Sequence, residues 1–399
     1  MKSKLKTKWK TKFFGDCAEL IKDTCKPNKD ESTSYIGLEH IEQNTLQLNG
    51  IGNSSEIISN KFKFCKGDIL FGKLRPYFRK VVCPDFNGIC STDIFVVRSK
   101  PGIAQKFLYF WMASQEFVNQ ATQSSTGTKM PRADWNFLCE IEKELPDIEE
   151  QEKISNILWD FQQLIINLNE QNKILEKIIQ TLFKSWFIDF DGQTEFVDSE
   201  LGKIPKGWTV KSVYDCANYV NGDAFRKSDF SSDNSGLPII KIAELKSGVS
   251  SITNFTNQIV DPKYLLHNGD VLFSWSGSPD TSIDIFIWTG GKAILNQHIF
   301  KINPLTPDNK PFIFSLLTYL KKTFIEIARN KQTTGLGHVT KTDLEKLMIA
   351  LPDDNLIKQF QLLVNPLFHL LCSNGLNSQI LIKSQNTLSL KLLSGEIRV

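Results

Sequence analysis

The chain is written twice, and this duplication limits its possible folds more than any other feature. Lys66-Gly67-Asp68-Ile69-Leu70-Phe71 returns as Asn268-Gly269-Asp270-Val271-Leu272-Phe273. Asp93-Ile94-Phe95-Val96-Val97 returns as His298-Ile299-Phe300-Lys301-Ile302. Ser125-Thr126-Gly127 returns as Thr333-Thr334-Gly335, and Leu145-Pro146-Asp147 as Leu351-Pro352-Asp353. Matches in one order at a nearly constant offset describe a duplicated domain plus connector, because the period far exceeds that of a solenoid repeat. A length of 399 residues agrees with two or three domains rather than one core.

Each half has the same texture. Short apolar runs broken by turn residues predict strands, with Asp68 to Phe71 and Ile94 to Val97 the clearest in the first half. Helices are expected over Ala104 to Val118 and over Phe312 to Ala328. A Gly-Thr-Ser loop, a Leu-Pro-Asp element and a long helix follow. Pro146 and Pro352 push the residue before them out of helical geometry, and Asp147 and Asp353 can cap the helix that follows.

In the first long helix Ile154, Leu158, Phe161, Ile165, Leu168, Asn172, Leu175, Ile179, Leu182 and Trp186 alternate spacings of four and three. This is a coiled-coil seam with Asn172 its one polar member; an amphipathic helix on a globular core is the alternative. The second seam is Phe360, Val364, Leu367, Leu371, Leu381, Leu388 and Leu392. It is interrupted by Asn374, Ser378 and Gln385, with Pro366 and Gly375 as candidate kinks. Neither helix is stable alone in water with its seam exposed, so the economical solution is that they pair. The seams centre near residues 170 and 376, so an antiparallel pair sets Asn172 opposite Asn374, where buried asparagines would fix register; asparagines that simply face solvent are the alternative. The expected fold is α+β: two similar mixed α/β domains separated by two long helices that pair as an antiparallel coiled coil. The divisions are 1–146, the helix 147–190, a Gly- and Pro-containing linker 191–207, 208–352, and the helix 353–399.

Hydrophobic residues at 41% and charged residues at 23% describe a globular chain. Apolar runs are too short for a membrane span, and no apolar stretch of signal-peptide length follows the lysine-rich start Met1 to Lys12. A cytoplasmic protein without membrane partners is expected. The start is either a phosphate-contacting arm or a solvated tail. Net charge is only +3, so any case for nucleic-acid binding rests on local patches. The eight Cys form no C-x-x-C pair, and the five His have no metal-ligand spacing with them, so no metal is expected.

Catalytic motifs are missing. There is no G-x-x-x-x-G-K-[ST] loop, no G-x-S-x-G elbow and no H-E-x-x-H. Asn303-Pro304-Leu305 and Asn365-Pro366-Leu367 lack the second proline of the base-holding motif of amino-methyltransferases. The pairs Asp189/Asp191 and Glu149/Glu150 read as solvated or capping charges. Recognition chemistry remains. Lys73, Arg75, Arg79 and Lys80 surround Tyr77 and Phe78 directly after a predicted strand. Arg and Lys neutralise phosphates, and Arg can hold guanine bidentately; a solvated strand edge is the alternative. The second-half counterpart is Ser274, Trp275, Ser276 and Ser278, with no cation. Two Gly-Thr loops, carrying Thr126, Thr128, Lys129 and Arg132 and then Gln332, Thr333, Thr334 and His338, are small, polar and able to approach DNA.

Together these pieces resemble the specificity subunit of type I restriction–modification enzymes over essentially the whole chain. The resemblance is carried by Gln180-Thr181-Leu182-Phe183-Lys184-Ser185-Trp186-Phe187-Ile188-Asp189-Phe190 and by Leu201-Gly202-Lys203-Ile204-Pro205-Lys206-Gly207-Trp208. It continues through Gly269 to Ser278, Leu295-Asn296-Gln297-His298-Ile299-Phe300 and Leu392-Leu393-Ser394-Gly395-Glu396-Ile397. The match is loose at the opening of the first domain, where Trp9 takes the part of Trp208. The resemblance implies two target-recognition domains, each reading one half of a bipartite double-stranded DNA site. The paired helices hold the domains apart, set the unread spacer and dock two methyltransferase subunits. S-adenosylmethionine belongs to those subunits, and ATP and Mg to motor/nuclease subunits; no cofactor is expected on this chain, which would have no turnover of its own. Alternatives are a similar chain serving a fused methyltransferase–nuclease, an orphan chain kept for recombination, and a coiled-coil scaffold with two protein-binding domains.

Overall fold

The structure is a computed structural model that describes residues 9–28, 32–125, 130–250, 252–332 and 335–399. The chain forms two compact units. The first is the chain up to Ile166 together with Leu381–Val399, and the second is Asn167–Ile380. Each unit therefore holds part of both long helices, the central helix Ile148–Phe187 and the C-terminal helix Asp354–Leu393.

The duplication is literal in three dimensions. The first unit has a four-stranded antiparallel sheet of β1 (Ala18–Ile21), β2 (Ile69–Gly72), β3 (Val81–Val82) and β4 (Ile94–Ser99), in the order β1-β4-β2-β3. The second unit repeats the order as β5-β8-β6-β7, from β5 (Ala217–Asn221), β6 (Val271–Ser274), β7 (Asp284–Ile287) and β8 (Ile299–Pro304). Register is kept as well: Phe71 lies opposite Phe95 and Phe273 opposite Phe300. The Gly-Asp signature ahead of β2 and β6 is a turn, with Gly67 and Gly269 both at φ 87°, a left-handed value that favours glycine. The aspartate of each turn accepts a backbone N–H, from Cys65 and from His267, and pairs with a cation of the neighbouring strand, Arg98 and Lys301. A second sheet in each unit contains one parallel pair, Ile36 beside Cys90 and Ile240 beside Leu295.

Trp9 precedes the strand Lys10–Phe13, which pairs with Glu142–Leu145; Trp208 precedes Thr209–Ser212, which pairs with Met348–Leu351. The two tryptophans thus open equivalent ribbons. The single helices expected after the sheets are each two helices. Gln105–Ala113 ends at Ser114, whose Oγ accepts the Phe117 N–H and starts Gln115–Gln123. Lys310–Tyr319 and Lys321–Asn330 break at Leu320. The segment 191–207 is more than a linker, since Phe196–Ser199 and Gly202–Pro205 form a hairpin.

Asp147 and Asp353 cap the long helices as expected, accepting the Glu150 N–H at 3.0 Å and the Leu356 N–H at 2.9 Å. The C-terminal helix runs continuously through Pro366 and Gly375. In the first unit Ile154 and Leu158 of the central helix share a core with Leu392 and Leu393 of the C-terminal helix and with Phe107, Trp111 and Phe117. In the second unit Leu175, Ile179, Phe183 and Phe187 share one with Phe360, Val364, Phe368 and Leu371. The seam shifts here. Phe183 and Phe187 are buried, while Leu182 and Trp186 are half-buried beside them. Successive steps of four overshoot a helical turn by about 40° each, so the covered stripe winds toward the domain core instead of staying in line. Phe161, Leu168, Leu381 and Leu388 are likewise half-buried.

The residues that break the second seam are buried on it. Asn374 donates to Gln171 Oε1 at 3.2 Å, and Ser378 to Asn169 Oδ1 at 3.1 Å. Gln385 donates to the Leu158 carbonyl at 3.0 Å and to Gln162 Oε1 at 3.2 Å. Asn172 donates to the Leu371 carbonyl at 3.2 Å. The partner numbers fall on one helix as they rise on the other, so the pairing is antiparallel within each unit. Asn172 and Asn374 stand at one level but bond each other's neighbours rather than each other. Gln385→Ala removes a buried donor and leaves Gln162 Oε1 without this partner. It should lower the unfolding free energy by about 1–3 kcal/mol in a urea titration. Leu390→Ala, on the exposed side of the same helix, should stay within about 0.5 kcal/mol.

At the other end of the first unit, Arg398 donates to both Glu150 oxygens at 2.6 and 2.7 Å and lies over the Trp9 ring. The Trp9 indole N–H donates to the same carboxylate at 3.2 Å. The Arg398 hydrogen bonds hold the Glu150 carboxyl below its usual value, against the effect of burial. An acid depressed in the folded state contributes its full stabilisation above its unfolded pKa, about 4.3, and loses it as pH falls through the folded value. The urea midpoint of wild type should therefore exceed that of Glu150→Gln by a constant amount above pH 5.5, with the gap closing below about pH 4.3. A gap independent of pH would show that the charge does not hold the clasp.

Candidate nucleic-acid interface

The structure brings the sequence candidates of each half together on one backbone frame. In the first unit, Lys73 N–H donates to the Asp93 carbonyl, Ala133 N–H to the Lys73 carbonyl, and Arg75 N–H to the Pro131 carbonyl, all at 2.8–2.9 Å. Leu74 and Arg132 form a β-bridge. In the second unit, Trp275 N–H donates to the His298 carbonyl at 3.4 Å and Val339 N–H to the Trp275 carbonyl at 2.8 Å. Ser276 pairs with His338. The segment after β2 or β6 is thus stitched on one side to the start of β4 or β8, and on the other to the end of the Gly-Thr loop.

The cations of the basic run divide into two groups. Arg75 is exposed, with φ 51°, and caps the short 3-10 helix Pro76–Phe78; Tyr77 is exposed beside it. Arg79, Lys80 and Lys73 are committed internally. Arg79 Nε donates to the Ala113 carbonyl, Lys80 Nζ to the Leu38 carbonyl, and Lys73 Nζ lies over the Phe95 ring. Burial pushes all three down from their usual values. Arg132 is held by Asp93 through Nε at 2.8 Å and Nη2 at 3.3 Å, and the hydrogen bond to this carboxylate pushes its pKa up.

In the second unit Ser274 is fully buried at the end of β6, which removes it from any surface. Trp275 donates its indole N–H to Asn221 Oδ1 at 3.0 Å and stacks on Phe300, so its one polar hydrogen is used internally. Ser276, Ser278 and His338 are half-buried and Gln332 is exposed. Thr126, Thr128, Lys129, Thr333, Thr334 and the lysine-rich start up to Lys8 lie outside the described residues. Sequence reasoning passed over Asp93, Asn221 and His298, which the structure ties to this frame. The signal was available: Asp93 and His298 occupy the same place ahead of the strand pair Ile94-Phe95 and Ile299-Phe300. The carboxylate pairs read as solvated or capping charges form local contacts, Asp189 with Lys184, Asp191 with Ser185, Glu149 with Lys153 and Glu150 with Arg398. Among the described residues no helix is long and apolar enough to cross a membrane, and no group of His, Cys, Asp and Glu is placed to hold a metal.

The model of the type I restriction modification DNA specificity domain matches this chain twice, over residues 6–178 and 205–360. The MjaIX specificity subunit of Methanocaldococcus jannaschii is 32% identical over 308 residues, covering 75% of this chain and 71% of that protein. The HindI specificity subunit of Haemophilus influenzae is 24% identical over 432 aligned positions, covering 86% and 93%. The solved S subunit of the type I system from M. genitalium shares the fold at a TM-score of 0.56 over 98% of both chains, with 15% identity. A specificity-domain match on each half, agreeing with a fold that repeats the strand order of its four-stranded sheet, makes this chain a member of the type I restriction–modification specificity-subunit family.

Proposed function

We propose that this chain reads a bipartite, asymmetric site in double-stranded DNA and passes that reading to catalytic subunits without chemistry of its own. Each domain reads one half-site. Two methyltransferase subunits dock on the helix pair and bring S-adenosylmethionine, and motor/nuclease subunits bring ATP and Mg; the complex works in the cytoplasm. One observation carries the reading: a repeated backbone frame bears unlike side chains in the two halves. Arg75, Tyr77 and Arg132 stand on the first, and Ser276, Ser278, Gln332 and His338 on the second. Cations on one and hydroxyl, amide and imidazole groups on the other suit half-sites of different sequence. Thr126, Thr128 and Lys129, and Thr333 and Thr334, belong by sequence to the same two loops and lie outside the described residues.

The helix pair sets the unread spacer. Adding one matched heptad to both helices preserves the seam and lengthens the pair by about 10 Å at ~1.5 Å per residue. At about 3.4 Å per base pair the spacer should grow by about three base pairs while the half-sites stay unchanged. Methylome sequencing of cells carrying the chain with its methyltransferase reads both quantities. An active variant with the original spacer, or with altered half-sites, refutes the ruler.

Arg75→Gln and Lys129→Ala should affect the first half-site only. Losing a base contact costs about 1–3 kcal/mol and relaxes one position; losing a phosphate contact weakens all sequences alike and reduces the log–log salt slope by about one. Fluorescence anisotropy of labelled duplexes across a salt series separates the two. Unchanged affinity and slope in both variants would move these segments away from DNA.

A further inference from the structure

The positions of Asp93 and Arg132 in the first unit are those of His298 and His338 in the second. Lys73 and Trp275 each donate to the first position's carbonyl, and Ala133 and Val339 each donate to Lys73 or Trp275 from just beyond the second. Leu74 is bridged to Arg132 as Ser276 is to His338. The frame is common; the side chains at its two facing positions are an ion pair in one domain and two imidazoles in the other. Both members of the ion pair are partly open to solvent, with side-chain exposures of 42% for Arg132 and 28% for Asp93.

The way Asp93 holds the guanidinium matters. Its carboxylate takes Nε and Nη2, the side-on edge of the fork. The end-on edge remains, with one N–H of Nη1 and one of Nη2 parallel and in plane. Nη1 has in addition a long contact of 3.5 Å to the Met130 carbonyl. Two parallel donors match the O6 and N7 acceptors that guanine alone presents in the major groove. A carboxylate that locks the fork removes the rotamer freedom an exposed arginine would otherwise lose on binding.

We propose that Arg132, oriented by Asp93, reads a guanine in the first half-site, and that His298 and His338 give the second domain a different preference at the equivalent base. The inference rests on the DNA-reading function proposed above. Arg132 is the reading residue and Asp93 the positioning residue.

The test uses the full chain with its methyltransferase subunits, mapping methylated motifs in cells and measuring duplex affinity in vitro. Wild type should give a bipartite motif with an obligatory guanine in its first half. Arg132→Lys keeps the charge but loses the fork. It should reduce preference for that guanine about ten- to a hundredfold while every other position holds. Asp93→Asn should relax the same position by a smaller factor, with an unchanged second half-site and an unchanged melting temperature. His298→Asp combined with His338→Arg should bring a guanine preference into the second half-site. If Arg132→Lys and Asp93→Asn keep full discrimination, or weaken all sequences evenly, the guanine assignment is wrong and Arg132 is a phosphate contact or a loop tether. If wild type gives no bipartite motif and no salt-dependent duplex binding, the DNA-reading function itself fails, and this inference with it.

Discussion

Everything in this chain depends on covering the apolar faces of two helices of 40 residues each. Such a face left in water would leave the helices marginal, because helices of any length draw most of their stability from packing rather than from propensity. The cover is local to each unit. Ile154 and Leu158 enter the first core together with Leu392 and Leu393, and Phe183 and Phe187 enter the second together with Phe360 and Phe368. The helix ends are therefore parts of domain cores, which explains why the stripe winds away from strict heptad positions at Leu182 and Trp186.

Polar residues between these ends do what apolar ones cannot. Leucines in a seam tolerate sliding by a heptad; hydrogen-bonding groups do not, because a buried donor without its acceptor costs about 1–3 kcal/mol. Gln385, Ser378 and Asn374 each find a partner on the central helix at one register only. Gln162 adds a second constraint by donating to the Leu46 carbonyl, so that the register of the pair is tied to the loop of the first domain. The interruptions of the second seam are thus register marks within each unit.

The repeated strands, the capped long helices and their antiparallel sense were legible because they follow from periodicity, Pro and Asp chemistry and burial. The helix breaks at Ser114 and Leu320 were not read, since neither has a Gly or Pro to announce it; the polar Ser114-Gln115-Glu116, with Ser114 as the cap, was the one signal available in the first half. The hairpin at Phe196–Pro205 was hidden by Gly and Pro residues that suit a linker equally well. For the candidate site, sequence picked out segments that the fold joins through one backbone frame, but it could not sort their cations. Arg75 and Arg79 are four residues apart in one basic run. A single turn of 3-10 helix between them leaves the first in solvent and turns the second onto the Ala113 carbonyl.

The duplication shows how one backbone frame can carry two different sets of side chains. The hydrogen bonds that build the frame run between backbone groups, so they impose almost nothing on the side chains that the frame presents. Where side chains do carry structure, as in the Gly67-Asp68 and Gly269-Asp270 turns, the two halves stay alike. Where the backbone alone suffices, they diverge completely: Lys73 against Trp275, Asp93 against His298, Arg132 against His338. That separation of support from display allows the proposed recognition surface to change without unfolding the domain beneath it. It also gives divergence between equivalent positions of this chain a physical meaning, because it marks places where one backbone frame accepts different side chains with different local contacts.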